Sequence, residues 1–338
     1  LNPGEIKKQA TTLDDVAKRA GVSKYTVSAV LNRTQSNTRV SDATRERIEQ
    51  AAAELNYRPN AIAVSLRRRR TDLIGFYNAY STTDARNRFL AEILAGMQHG
   101  ALDWGKDIVL FRNLKGQSED TIYNALADGR VDGLILYAPA DDALAARLAD
   151  SHLPVIAVAD ALPSLPSVVI DDYAGGALQA THLAEKGHRH VLYRAAVHKT
   201  RSLTGRFNGF WETAHELGLK VSLVCVRATA GLTDEERALL TGPPGSRPTG
   251  AACWEDWHAD QLVAACKAEG IAVPGELAVI GFDGLEASRV PAWELTTIRA
   301  PWMQVAERAI ALLQDQVKGR SVPAETTLPV ELVYGDTT

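Results

Sequence analysis

The decisive stretch is Thr11–Asn32, TTLDDVAKRAGVSKYTVSAVLN. The hydroxyl residues Thr11 and Thr12 stand before Leu13, with Asp14 and Asp15 in the first turn, which marks a helix start. Leu13, Val16, Ala17 and Ala20 fall at i, i+3, i+4 and i+7 and form one apolar face. Gly21 ends that helix because it accepts positive φ at low cost. Val22 is the buried turn residue and Ser23 the next cap. The second helix, Lys24 to about Asn32, turns Val27, Val30 and Leu31 inward and leaves Lys24, Tyr25, Ser28 and Ala29 outward or at its start. Two short helices joined by a glycine turn predict a helix-turn-helix, whose second helix enters the DNA major groove.

Further along, Ser41 caps a third helix with Ile48, Ala51, Ala52 and Leu55 on its inner face, and Asn56-Tyr57-Arg58-Pro59 closes the module. Asn60 can cap the next segment, Ala61–Leu66, which has length for about two helical turns. So short a helix is marginal in water and needs a packing partner. Arg67–Arg70 follows at once, a run that beside DNA would touch phosphates and make affinity fall with salt.

Charge sharpens the division. Residues 1–70 carry 14 Lys and Arg against 7 Asp and Glu, while the remainder carries 23 against 34. The net charge of −4 therefore hides a basic head on an acidic body. At 46% hydrophobic and 23% charged residues, the 338-residue chain is neither disordered nor fibrous. No apolar run reaches the roughly 18 residues that span a bilayer. Leu1–Ala10 has no apolar core of a signal peptide. Cys225, Cys253 and Cys266 are too few and too scattered for a disulfide framework and read as reduced thiols.

From Asp72 apolar runs alternate with helical stretches. Leu73–Phe76, Ile108–Phe111, Gly133–Leu136 and Val155–Val158 read as buried strands, and the rhythm restarts at Val191–Tyr193, Ser222–Val226, Gly250–Cys253 and Leu277–Phe282. Alternation of this kind means parallel sheets covered on both faces, with ligands at the carboxyl ends of the strands. The body has no GxGxxG after its first strand and no phosphate loop, HExxH or GxSxG. His182, His188 and His190 run from a helix into a turn and are not expected to hold a metal; no cofactor is expected.

The quoted stretch, with TRERIEQAAAELNYRPN after it, resembles the DNA-binding head of the LacI/GalR family of bacterial repressors. The body resembles the effector-binding core of that family, itself similar to periplasmic sugar-binding proteins. Its landmarks are Val131-Asp132-Gly133, His182-Leu183, Gly187-His188-Arg189, Arg206, Gly209-Phe210, Val279–Asp283 and Leu295–Arg299 followed by Pro301. The resemblance implies an all-α helix-turn-helix head plus an α/β periplasmic-binding-protein-like core of two doubly wound parallel-sheet subdomains. Expected boundaries are 1–59 for the head, 60–71 for a hinge helix and basic linker, and 72–338 for the core. Within the core the N-subdomain is expected at about 72–160 plus 290–320, and the C-subdomain at about 161–289 plus 321–338.

The resemblance also implies roles. Lys24 and Tyr25 match base-reading positions, and Ala29 stands where many members carry a third, an Arg. Thr12, Ser23, Thr26, Ser28, Asn32, Tyr57 and Asn60 complete the DNA-facing set, and Leu66 matches the hinge residue wedged into the minor groove. For a small effector it implies Asn87, Phe89, Tyr137, Asp160, Arg206, Trp254, Glu255, Asp283 and Trp302. Carboxylates and Arg suit paired sugar hydroxyls, and an aromatic face suits a sugar ring. Glu255 replaces a pocket Asn of many members, which favours different hydroxyls or amines. Arg194, His198, Lys199 and Arg201 near Arg206 fit an acidic sugar or phosphate and fit a solvated loop equally well, so the ligand's charge stays open.

The expectation is a cytoplasmic, non-enzymatic transcriptional regulator, a homodimer on a pseudo-palindromic operator, controlled by a small effector, most readily a carbohydrate. No tetramerising Leu heptad follows Leu332–Asp336. A solute-binding protein of a transporter fits the body alone but not the basic head. An enzyme using Asp160 or Asp283 lacks an activated nucleophile.

Overall fold

The computed structural model describes residues 11–31, 40–81, 83–84, 86–114, 116–197, 200–227, 231–285 and 293–338. The chain forms two units, 1–72 and 73–338.

In the first unit α1 (Leu13–Ala20) opens with a capping box: the Thr12 hydroxyl accepts from the Asp15 amide, and Asp15 accepts from the Thr12 amide. Gly21 ends it at φ 63°. α2 (Lys24–Leu31) and α3 (Asp42–Glu54, capped by Ser41) pack against α1. Val16, Ala17, Ala20, Val27, Val30, Ile48, Ala51 and Ala52 are the shared core among the described residues. Eight buried side chains make a small core, so each counts heavily. α4 (Ala61–Arg68) is capped by Asn60, whose Oδ1 accepts from the amides of Ile62 and Ala63, and it buries none of its residues.

The second unit contains two six-stranded sheets, with strands numbered along the chain. The first runs in space as β11 (Glu325–Leu328), β5 (Ser167–Ile170), β4 (Val155–Val158), β3 (Gly133–Tyr137), β1 (Leu73–Asn78) and β2 (Asp107–Leu110), all parallel. The second runs as β12 (Glu331–Val333), β10 (Thr296–Arg299), β9 (Ala278–Asp283), β8 (Gly250–Cys253), β6 (His190–Ala196) and β7 (Lys220–Val226), where β12 is antiparallel to β10 and the rest are parallel. Every strand read from an apolar run is present, and α5 (Arg88–Leu102), α6 (Glu119–Leu126) and α7 (Ala143–Ala149) stand between strands of the first sheet.

The lobe boundaries need correction. Residues 167–170 and 325–328 pair in the first sheet and 296–299 in the second, so the expected divisions at 160, 290 and 320 are misplaced. The cause is that β4 and β5 are parallel neighbours joined through 159–166 without a helix. A reading based on strand–helix rhythm starts a new lobe at such a break. The chain actually crosses between lobes after β5, after β10 and between β11 and β12.

After the first crossing comes α8 (Asp172–Glu185), and α9 (Arg201–Glu216) lies against it. Glycines make this approach close: a Cβ on Gly176 would sit 1.9 Å from the Arg206 carbonyl, and one on Gly209 1.9 Å from that of Tyr173. The crossing brings Asp172 and Arg206 together. After the second crossing α12 (Trp302–Val317) packs on α5 and on the first sheet. α10 (Asp234–Leu240) and α11 (Asp256–Ala268) complete the second lobe.

Candidate functional site

Two sets of side chains stand out, one on each unit. On the head, Lys24 and Tyr25 begin α2 and are exposed, Tyr25 at 66%. Lys24 is held 2.8 Å from Asp14. The Ser23 hydroxyl accepts from the Thr26 amide at 3.1 Å, so it caps α2. Ser28 receives a hydrogen bond from Arg67 of α4. Ala29 is half-buried, and Asn32 lies outside the described residues. Tyr57 packs half-buried on the head core; burial pushes its phenol pKa up while Arg67 and Lys24 draw it down. Thr12 and Asn60 serve as caps, and Leu66 is 82% exposed. An apolar side chain so exposed on a helix with no buried face has no use in the head's own packing.

On the core, the carboxyl ends of the two sheets gather charge. Arg206 is buried on α9. Its Nε donates to Asp172 at 2.8 Å, and Nη1 donates to the Trp254 carbonyl at 2.7 Å and lies 3.2 Å from Asp283. Its guanidinium also stacks 3.7 Å from the centroid of Phe282. Burial works against the charge on Arg206, but Asp283 and Asp172 outweigh it and hold the pKa above its ordinary value. Burial also pushes Asp283 up to about 7, with Arg206 opposing and Glu255 and Asp172 adding to the rise. Asp172 is raised by burial against the pull of Arg206. Asp283 ends β9 at φ 111°, a left-handed backbone rare outside glycine and costing about 1–3 kcal/mol. Asp256 anchors that turn by accepting from the Leu285 amide and the Thr297 hydroxyl.

Across from these lies an aromatic wall from the first lobe. Phe89 stands 5.2 Å from Tyr137 and 4.9 Å from Trp302, and Tyr80 stands 4.5 Å from Tyr137, centroid to centroid. Tyr137 senses both lobes: burial raises its pKa, Asp160, Asp283 and Glu255 add to the rise, and Arg206 opposes it. Three buried polar atoms here have no described partner, the indole N–H groups of Trp254 and Trp302 and the Tyr193 hydroxyl. Buried donors left unpaired cost about 1–3 kcal/mol each.

Asp160, Tyr137, Phe89, Arg206, Trp254, Glu255, Asp283 and Trp302 thus converge. Asn87 stands apart: it is exposed and caps α5 by accepting from the Leu90 amide. Asp160 joins the lobes, accepting from the Tyr80 hydroxyl at 2.7 Å and the Ser202 amide at 2.9 Å. Glu255 Oε1 lies 2.6 Å from His258 Nδ1. Two basic residues expected beside Arg206 are turned elsewhere. Arg194 forms a 2.7 Å ion pair with Glu236 in which both side chains are 0% exposed, and Arg201 lies 3.5 Å from Glu325. His198 and Lys199 fall outside the described residues. His182, His188 and His190 bond separately to Thr338, Thr249 and Ser222.

Sequence reading missed Asp172, Tyr80, Tyr193 and Ser202. Strand alternation carried a usable signal for one of these, Tyr193. Neighbours on β6 face opposite ways, so Tyr193 turns to Phe207 and Phe210 of α9 while Arg194 turns to α10 and α11. No described helix is long and apolar enough to cross a membrane.

Residues 12–60 match the model of "Bacterial regulatory proteins, lacI family", and 180–338 match "Periplasmic binding protein-like domain". The HTH-type transcriptional regulator DegA of Bacillus subtilis (strain 168) is 30% identical over 97% of this chain and 98% of its own. The HTH-type transcriptional repressor PurR of Aliivibrio fischeri (strain MJ11) is 30% identical over 91% and 92%. Among solved structures, the lac repressor dimer bound to operator and the anti-inducer ONPF superposes with TM-score 0.81 at 28% identity, covering 97% of this chain and 99% of that one. A transcriptional regulator CelR–cellobiose complex gives 0.70 at 25%, covering 97% and 100%. Head and two-lobed core are shared with these regulators along nearly the whole length, and the chain belongs to the LacI family of bacterial DNA-binding transcriptional regulators.

Proposed function

We propose that this regulator is a repressor whose operator affinity is set by a sugar or sugar derivative held between the two core lobes. The observation that carries the reading is the convergence of Arg206, Asp172 and Asp283 opposite Phe89, Tyr137 and Trp302, with buried N–H and O–H groups still unpaired. Fixed charges suit hydroxyls, the aromatic wall suits an apolar ring face, and the unpaired donors make the site selective between stereoisomers. The lac repressor and CelR complexes, with ONPF and cellobiose, support the ligand class.

On the DNA side, a cytoplasmic homodimer sets two recognition helices on a pseudo-palindrome. Lys24 and Tyr25 read bases; Thr12, Ser23, Thr26, Ser28 and Asn60 hold phosphates, with Asn32 and Tyr57 alongside. Ala29 offers only a methyl group, so contact there favours a thymine methyl over a hydrogen-bonded base. Leu66 enters the minor groove at the centre of the site. Effector binding shifts the lobes and with them the pairing of the two α4 helices, a coupling of typically ~1–3 kcal/mol. A mobility-shift titration on palindromic DNA, with a panel of sugars, tests this. Operator binding that at least one sugar alters about tenfold is expected; binding that no sugar alters refutes the carbohydrate control.

A further inference from the structure

The charge of the ligand, open from sequence, can be argued from the cleft. Asp160, Asp172, Glu255 and Asp283 converge there; among the described residues Arg206 is the cation in contact with Asp172 and Asp283, and His258 Nδ1 lies 2.6 Å from Glu255. Arg206 already spends Nε on Asp172 and Nη1 on Trp254 and Asp283. Arg194 and Arg201 are paired away from the cleft, and Arg88 acts on Asp260. An anionic ligand would therefore add its charge to a surplus of carboxylates. Conversely, acceptors are left over. Glu255 uses Oε1 on His258, its Oε2 takes part in no described hydrogen bond, and its side chain is 25% exposed, within reach of a ligand. Asp283 likewise has Oδ2 outside any described bond. The Tyr80–Tyr137–Phe89–Trp302 cluster puts aromatic rings in the same cleft, and the face of an aromatic ring attracts a cation. Leftover carboxylate oxygens call for O–H or N–H donors, of which only an ammonium also offsets their charge, and the indole N–H groups of Trp254 and Trp302, which have no described partner, call for hydroxyl oxygens.

We propose that the effector is a hydroxylated amine, an amino sugar in its protonated form, with Glu255 and Asp283 as counter-ions of the ammonium group. The inference rests on the carbohydrate reading above and narrows it. It also sets a pH dependence. Asp283 faces Arg206, Asp172, Glu255, Asp256 and Tyr137, and with its pKa at about 7 it is mostly protonated at pH 6 in the unliganded cleft. A protonated carboxyl can still share a hydrogen bond with a hydroxyl but cannot neutralise an ammonium. Amine affinity therefore rises as pH climbs through the raised Asp283 pKa and the carboxyl ionises.

The test is calorimetric titration of the full chain with D-glucosamine, D-galactosamine and D-mannosamine, each beside its neutral hexose and its hexuronate. The expected result is one amine at least tenfold tighter than its neutral parent, with no uronate binding. Glu255→Gln should cut that preference about tenfold. Should that variant fail to fold, the pH 6-to-7 rise in the wild-type protein decides, since a flat amine profile overturns the proposal. A neutral hexose or a uronate that binds as tightly as its amine overturns the charge inference and leaves the carbohydrate reading standing. Silence across the whole panel counts against both.

Discussion

The head and the core cleft place chemistry in opposite surroundings. On the head the side chains proposed to meet DNA lie at the surface, with Lys24, Tyr25 and Leu66 exposed, on helices whose inner faces form a core of eight described residues. In the cleft the charged groups are buried and bonded to one another, so each is part of the fold as well as of the site. Substitution should therefore separate stability from recognition on the head and couple them in the cleft.

The largest effect expected is in the cleft. Arg206→Ala strands Asp172 and Asp283, two buried carboxyls, and should cost the core about 3–5 kcal/mol together with its effector response. Denaturant unfolding followed by tryptophan fluorescence checks it; a loss below 1 kcal/mol would mean the carboxyls relax into solvent. Next is Ile48→Ala, fully buried in the small head core, at about 2–4 kcal/mol. Calorimetry should show the head melting early with the core transition unmoved. Leu66→Ala should leave head stability within about 0.5 kcal/mol while weakening operator binding about tenfold, near 1.4 kcal/mol. Equal operator affinity of the two proteins would remove the wedge role. Smallest is Thr12→Ala, which deletes the α1 capping box and should cost the head about 1 kcal/mol. A head unfolding midpoint unchanged by that substitution would show the cap to be idle.

The same contrast explains what could be read from sequence. The head is built from local signals. Thr12, Gly21, Ser41 and Asn60 each mark a helix end, and the i, i+3, i+4 pattern fixes which faces meet. Central strands of the core announce themselves as apolar runs. β10, β11 and β12 do not, because they mix polar with apolar residues and β11 and β12 bury none of theirs, while β5 is apolar but follows β4 without a helix between them. Their sheet membership depends on where the chain crosses between lobes, which no local pattern encodes. Arg206 and Asp283 were legible through family resemblance, but Asp172 depends on the glycine-mediated crossing of α8 and α9. Arg194 was misjudged because proximity in sequence to Arg206 was weighed above the alternation of β6.

Recognition on the head with control in the cleft makes one demand above the others. Operator affinity of wild-type protein and of Asp283→Ala should be measured by mobility shift at fixed salt, with and without the sugar that shifts the wild type. Both proteins should bind operator alike in its absence, and the sugar should change affinity at least tenfold in the wild type and not at all in the variant. A variant that still responds like the wild type would contradict control from this cleft.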